Sequence, residues 1–392
     1  MNKPTVLLAH NYYKLPGGED LAFSAEKRLL QSNGHTVIEY LDFNERIDKM
    51  SVVDAARQTI WSSETYEKIK KLIKSAKPDI AHLHNTFMLI SPSAYDALLE
   101  LDIPIVQTLR NYRLLCPNAT FFRDSRTCED CLGWKIPIPG IIHKCYRNSH
   151  AQTAVVATML AYHRLMNTWQ KKVDIYIALT EFARRKFISG GLPAGKIITK
   201  PNFVTDPGLL EGDGEYAICV SRFSVDKGTD TLLEAWRAAE AIPLKIIGDG
   251  PQLERMRLFV VNENLVSVEL VGQLSHSLVM KFIGKARFLV FPTHLYETFG
   301  RVIIEAYAAG IPVIASRIGA VAELVQHGET GLLFNPGDPI DLAAKVKWLW
   351  NHPEESKRMG HNARKEYEQK YTPERNYEML MDIYQHALEN YS

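Results

Sequence analysis

The chain has 392 residues, 46% of them hydrophobic and 23% charged, with a net charge of +1. That is the composition of a folded globular protein, long enough for two domains with a core each. No run of about twenty apolar residues suits a transmembrane helix, and the opening MetAsnLysProThrValLeuLeuAla enters a strand without the layout of a signal peptide, so a cytoplasmic protein is expected.

The charge is unevenly spread. Residues 1–205 hold 27 Lys+Arg against 19 Asp+Glu, or +8, which leaves 46−27=19 against 45−19=26, or −7, for the rest. A basic first half suits peripheral contact with an anionic bilayer or a polyanionic acceptor, or else a scattered solvated surface. No compact arginine–aromatic pattern points to nucleic acid.

In chain order, Thr5 to Ala9 predicts a strand. Leu15-Pro16-Gly17-Gly18-Glu19-Asp20 is a permissive loop whose acids suit a helix start. Asp20 to Ser32 reads as a helix with Leu21, Ala25, Leu29 and Leu30 on one face, stopped by Asn33-Gly34. His35 to Tyr40, Ile80 to Leu83 and Ile105 to Thr108 predict further strands. Two polar groups follow strand ends: His82-Leu83-His84-Asn85 and Arg110-Asn111-Tyr112. His84 suits contact with a sugar or acceptor, and equally a satisfied structural role. Arg110 suits donation to a phosphate or acceptor oxygen. Cys116, Cys128, Cys131 and Cys145 cluster in a polar insertion with a Cys-x2-Cys step. A structural zinc site and four reduced thiols both fit that spacing. Cys219, on a predicted strand, reads as a core thiol. Ala151 to Lys172 reads as a helix with Val155, Met159, Tyr162, Met166 and Trp169 near one face, a stripe that suits core better than membrane.

The strand–helix alternation restarts after the linker-like ProGlyLeuLeuGluGlyAspGly at 207–214. Strands are expected at Tyr216 to Ser221, Leu244 to Ile247, Val268 to Val271, Phe288 to Phe291 and Val313 to Ala315. Such alternation implies parallel sheets with crossover helices, an α/β architecture of two doubly wound units that bind ligands at the carboxyl ends of their strands. Pro373 to Asn390 is a final helix with Tyr377, Leu380, Met381, Tyr384 and Leu388 available for packing.

The most informative stretch runs from His294 to Ser316. Glu297 and Glu305 stand with seven residues between them, and Thr298, Phe299 and Gly300 mark a helix start after a buried strand. A helix N-terminus offers free N–H groups to an anion. A carboxylate repels phosphate but accepts hydrogen bonds from hydroxyls. The stretch therefore asks for a ligand with both phosphate and polyol, a nucleotide sugar. Val220-Ser221-Arg222-Phe223-Ser224-Val225-Asp226-Lys227-Gly228 supplies two cations for the diphosphate. A charged hydrogen bond contributes roughly 1.5–3 kcal/mol against about 0.3–1 kcal/mol for a helix dipole, so Arg222 and Lys227 outweigh the helix terminus. Gly248 and Leu274, in Gly248-Asp249-Gly250 and Gly272-Gln273-Leu274, end strands where a base or sugar can approach the backbone.

Glu297 and Glu305, with Glu305-Ala306-Tyr307-Ala308-Ala309-Gly310-Ile311-Pro312-Val313, resemble the signature of the retaining glycosyltransferases of family four. The loop at Arg222 to Gly228 is similar to that family's Gly-Arg-Leu-x-x-x-Lys-Gly. The resemblance covers nearly the whole chain and is strongest over 216–334. It implies the GT-B fold, with facing domains at 1–205 and 206–372 and a final helix (373–392) that crosses back to the first. It also implies transfer of a sugar from a nucleoside diphosphate to a hydroxyl acceptor, a lipid-linked or glycan precursor. In that reading Arg222 and Lys227 clamp the diphosphate, Glu297 orients sugar hydroxyls and Glu305 holds ribose. The backbone of Thr298, Phe299 and Gly300 meets the leaving group. Gly17 and Gly18 match a family loop near the donor phosphate and acceptor. Many relatives carry His where Arg110 stands, so an inherited histidine role does not transfer. The chain has no Asp-x-Asp, and transfer without a metal or other cofactor is expected. A nucleotide-sugar epimerase, a phosphorylase and a non-catalytic nucleotide-sugar-binding subunit are the competing readings.

Overall fold

The structure, a computed structural model, describes residues 3–14, 17–208, 214–239 and 241–390. Leu15 and Pro16 of the first glycine loop, and 209–213 of the expected linker, lie outside the described residues. The chain forms two compact units, one of Met1–Phe121, Glu129–Pro201 and Asn376–Ser392, the other of Phe122–Cys128 and Asn202–Arg375.

In the first unit, β1 (Val6–Tyr12), β2 (Val37–Phe43), β3 (Ile80–Leu83) and β4 (Ile105–Leu109) precede a two-residue antiparallel pair, β5 (Phe122–Arg123) and β6 (Arg126–Thr127), that belongs to the second unit. Then come β7 (Ile175–Ala178) and β8 (Ile197–Thr199). Their sheet is parallel throughout, in the order β2-β1-β3-β4-β7-β8. The second unit carries β9 (Tyr216–Val220), β10 (Leu244–Ile247), β11 (Val268–Gly272), β12 (Ala286–Phe291), β13 (Val313–Ser316) and β14 (Gly331–Phe334). Here the order is β11-β10-β9-β12-β13-β14, again parallel. Strands covered on both faces become continuous apolar runs, and Phe288, Leu289 and Val290 are fully buried. The order turns back beside β9, so a crevice opens between the carboxyl ends of β9 and β12.

Helix starts follow local chemistry. Ser62 accepts a hydrogen bond from the Thr65 N–H, and Asp338 accepts from Ile340 and Asp341 just before Pro339. Such a cap contributes about 1 kcal/mol. Among the described residues, no helix is long and apolar enough to cross a membrane.

Five strands escaped the sequence pattern: β7, β8 and β14 of the two large sheets, and the two-residue pair β5 and β6. The helix expected over Ala151 to Lys172 is also divided. It spans His150–Leu165, breaks at Asn167, whose φ is 52°, and resumes at Thr168–Lys171. Its stripe divides too, with Met159 and Trp169 buried while Tyr162 and Met166 are exposed.

The helix Gly18–Ser32 buries Leu29 and Leu30 of the expected face but not Leu21. Leu21 is 49% exposed, whereas Ala22, Phe23, Glu26, Leu29 and Leu30 are buried. Counting apolar residues alone misplaces part of the face because its central position is a glutamate.

Glu26 sits in a buried polar cluster of the first unit. Lys200 Nζ donates to Glu26 Oε2 at 3.2 Å and to Asn376 Oδ1 at 2.8 Å. His82 Nδ1 stands 3.2 Å from Glu26 Oε1 and 2.8 Å from the Tyr384 hydroxyl, and its Nε2 meets Thr108 Oγ1 at 2.7 Å. Asn376 and Tyr384 come from the last helix, Pro373–Asn390, whose Leu380, Ile383, Tyr384 and Ala387 pack with Val6, Leu8, Ile80 and Val106.

Burial pushes the Glu26 carboxyl up, but Lys200, His82 and His84 outweigh it and hold it well below the carboxylate range. Burial dominates at the imidazoles, lowering His84 well below its ordinary value and His82 from 6.5 to about 4. The unfolded chain thus takes protons on these rings near pH 6.5, and the folded chain does not. Stability is full above about pH 6.5 and falls as the pH drops toward 4. From 6.5 to about 4, at ~1.4 kcal/mol per pH unit, His82 alone removes roughly 3 kcal/mol. Glu26 acts in a lower window, its contribution being lost as pH falls through its depressed value. Urea midpoints are expected to hold from pH 7.5 to about 6.5 and to fall from there to pH 5, and a flat profile over the whole range would refute this account.

Candidate functional site

Most of the sequence-predicted donor residues meet at the crevice of the second unit. The loop after β9 carries Arg222 and Lys227, and the loop after β12 carries Glu297. They are locked together by a backbone hydrogen bond: His294 N–H donates to Asp226 O at 2.9 Å, and the Thr293 hydroxyl oxygen lies 3.3 Å from the same carbonyl. Gly228 makes the approach possible. Its φ is +71°, and a Cβ there would stand 1.8 Å from Pro292 O.

Across this junction Lys227 Nζ donates to Glu297 Oε1 at 2.5 Å, and Thr293 Oγ1 donates to the same oxygen at 3.2 Å. Burial opposes the charge on Lys227, but Glu297 and Asp226 more than offset it and hold its pKa above the ordinary value. Lys227 is therefore a fixed cation at neutral pH. Arg222, by contrast, is exposed, and its side chain has no hydrogen-bond or ion-pair partner among the described residues. Its charge opposes that of Lys227, so two like charges face one crevice, an arrangement that an anion relieves.

The following helix spans Arg301–Ala308, with Gly300 as its N-cap at φ 139°. Its first N–H groups have no intrahelical acceptor. Thr298 is half-buried, and Phe299 is 3% exposed with its ring edge-on to Tyr371 at 6.2 Å. Phe299 is thus a core anchor, and only its backbone is available to a ligand. Glu305 is 6% exposed. Its Oε1 accepts from Arg301 Nε at 3.0 Å and lies 2.9 Å from His276 Nε2. These two contacts orient the carboxylate. Arg301, His276 and Thr293 were not singled out in the sequence. Arg301, four residues before Glu305 on one helix, had a legible signal, and His276 had none. Arg301 Nη1 is buried without a hydrogen-bond partner, a donor set beside the Glu305 carboxylate.

Gly248 was expected to let a base or sugar near the backbone. A Cβ there would lie 1.9 Å from Ser221 O and 3.0 Å from the Phe223 ring, so its missing side chain makes room for the Arg222 loop itself. Leu274 is half-buried, two residues beyond Gly272, whose φ is +87°.

In the first unit, His84 and Arg110 follow the neighbouring strands β3 and β4. Arg110 Nε and Nη2 donate to His84 Nδ1 at 3.1 and 3.0 Å, which leaves the His84 proton on Nε2, 3.3 Å from Glu26 Oε1. The His84 side chain has no exposed surface. Of the two roles expected for His84, contact with a sugar or acceptor and a satisfied structural place, its contacts here are those of the second: it holds the Arg110 guanidinium. Glu26 Oε1, His82 and His84 have ligand atoms within 4.8 Å of one another, a geometry open to a metal. The charges argue against one, because Lys200 and Arg110 (3.8 Å away) already surround this single carboxylate.

Gly17 and Gly18 open the first helix with nothing within 4 Å of where a Cβ would stand. The Gly17 N–H donates to Asp20 Oδ2 at 2.8 Å, and Asp20 Oδ1 meets His10 Nε2 at 2.8 Å. Of the clustered cysteines, Cys116 and Cys131 are buried and Cys128 and Cys145 are half-buried; Cys219 is buried in the second unit's core.

Two parallel six-stranded sheets, each doubly wound, define the GT-B glycosyltransferase fold. Over the whole chain the structure is similar to Anabaena Alr3699/HepE in complex with UDP, with a TM-score of 0.70, 16% identity, and coverage of 97% of this chain and 99% of that one. Residues 205–366, a stretch within the second unit, match the family Glycosyl transferases group 1. Among curated relatives, an uncharacterised glycosyltransferase of Methanocaldococcus jannaschii is 38% identical over 165 residues, 42% of this chain and 46% of the relative. D-rhamnosyltransferase WbpZ of Pseudomonas aeruginosa is 32% identical over 148 residues, 37% and 39% of the two chains. The matched stretches thus span less than half of these relatives.

Proposed function

We propose that the protein is a retaining glycosyltransferase that moves a sugar from a nucleoside diphosphate to a hydroxyl of a lipid-linked or glycan acceptor, without a metal ion. The observation that carries this reading is the Lys227–Glu297 ion pair at the crevice beside β9, with the Arg222 charge close enough to oppose that of Lys227. Fixed cations aimed at a leaving diphosphate do the electrostatic work that a metal does elsewhere. Glu305, oriented by Arg301 and His276, accepts from ribose hydroxyls, and Glu297 orients the sugar. As the sugar C1–O bond to phosphate breaks, the acceptor oxygen bonds to C1 on the same face and passes its proton to the leaving phosphate. In the first unit, the Gly17–Gly18 turn meets the acceptor. The excess of cations in residues 1–205 supports work at the cytoplasmic face of an anionic membrane.

Calorimetry with UDP, GDP and ADP, each with magnesium and with EDTA, tests the donor site. One nucleotide is expected to bind, unchanged by EDTA and lost in Lys227→Ala. Binding of none by folded protein overturns the proposal. Binding that EDTA abolishes removes its metal-free part.

A further inference from the structure

Between Asp130 and Asp174 the chain has no acidic residue, while it carries Lys135, Lys144, Arg147, Arg164, Lys171 and Lys172. The same stretch exposes seven large apolar side chains: Trp134, Ile136, Ile138, Ile142, Tyr162, Leu165 and Met166, each 44–63% accessible. Elsewhere in the chain acids and bases are nearly balanced, so this segment is unusual in both respects.

Its layout is held by the fold of the first unit. Arg164 Nη1 donates to Trp134 O at 2.5 Å, and His150 Nδ1 lies 2.8 Å from Ile141 O. The segment Trp134–Ile142 is thereby pinned at both ends of the helix His150–Leu165, which is about 24 Å long at 1.5 Å per residue. Trp134, Lys135 and Ile136 are exposed together, Pro137 is buried, and the short helix Ile138–Ile142 follows with both of its end residues exposed. Lys135, Lys144, Arg147 and Lys171 are exposed among the apolar groups.

We infer that this strip docks on the surface of an anionic lipid bilayer, with Trp134 and the isoleucines entering the interface and the basic side chains meeting headgroup phosphates. The inference deepens the membrane part of the proposed function. Charge complementarity selects the occupant. Protein–protein interfaces are depleted of lysine, whereas interfacial segments combine Trp and aliphatic residues with Lys and Arg. An acid-free segment avoids repulsion from a negative surface over its whole length.

Sedimentation of the full chain with phosphatidylcholine vesicles, with and without phosphatidylglycerol, tests this. Wild type is expected to pellet with the phosphatidylglycerol vesicles, less at high salt and little with phosphatidylcholine alone. Ile142→Glu and Trp134→Ala, both at exposed positions, are expected to weaken partitioning at least tenfold. Val266→Glu, at an 87% exposed apolar position of the second unit, leaves it unchanged. Failure of wild type to pellet, or wild-type pelleting by Ile142→Glu, overturns the inference. Self-association that Ile142→Glu abolishes, without vesicle binding, assigns the strip to a second copy of the chain and also overturns it. Nucleotide binding by the same variants is expected to stay intact, so loss of the strip and loss of the donor site are distinguishable.

Discussion

Lys227→Ala is expected to lower kcat by about 10²–10³-fold, the range found when one preorganised donor to a developing negative charge is removed. The fold is expected to survive. Lys227 lies on a loop after β9 with its side chain 23% exposed, and Glu297 keeps Thr293 Oγ1 as a donor. The loss should appear mainly in kcat, because the diphosphate gains most charge as the sugar bond breaks. Arg222→Ala should show a smaller loss, since its exposed charge is more screened by water. Sugar transfer by the purified variants, beside circular dichroism, is the measurement. Wild-type turnover in both folded variants would remove the diphosphate clamp from the mechanism.

The second large effect is on stability. Glu26→Ala is expected to destabilise the first unit by about 3–5 kcal/mol, the usual result of removing one partner from a buried ion pair. Glu26 is the carboxylate among Lys200, Arg110, His82 and His84, and all of these side chains are nearly inaccessible. Its removal strands two cations away from water. Native domains have only about 5–15 kcal/mol to lose. Urea unfolding is the readout, and Lys200→Met in the Glu26→Ala background supplies the control. The double variant should recover part of the loss because one stranded charge is gone. A neutral Glu26→Ala would mean that water reaches the cluster.

The legibility of these features follows from their physics. The alternation of apolar runs with helical segments is repeated along the chain, so the two doubly wound sheets were readable before any coordinates. The Arg222–Lys227 and Glu297–Glu305 segments were readable because glycine and proline punctuation ties them to strand ends. Glu26 was not. A buried glutamate on an amphipathic helix looks like its solvated face until Lys200, some 170 residues later, is brought against it. His276 was hidden for the same reason, since its link to Glu305 crosses elements. His84 was visible as a polar residue at a strand end, but whether its nitrogens face a ligand or Arg110 depends on packing that spacing does not encode. Tyr162 and Met166 shared a helical stripe with buried Met159 and Trp169; the break at Asn167 sets Trp169 apart, while Met159 is buried and Tyr162 and Met166 are exposed before the break.

The last helix bears on how the protein is made. Asn376 and Tyr384 complete the cluster around Glu26 and His82, and Leu380 and Ile383 fill the core beneath β1. On the ribosome, the sheet of the first unit emerges long before these residues. At about 5–20 residues per second, the delay is on the order of ten seconds. During that interval Lys200 and His82 lack their final partners, and an apolar surface stands uncovered. The nascent first unit is thus obliged to wait for the second to be translated, and it is the half of the chain for which a chaperone has the most to shield.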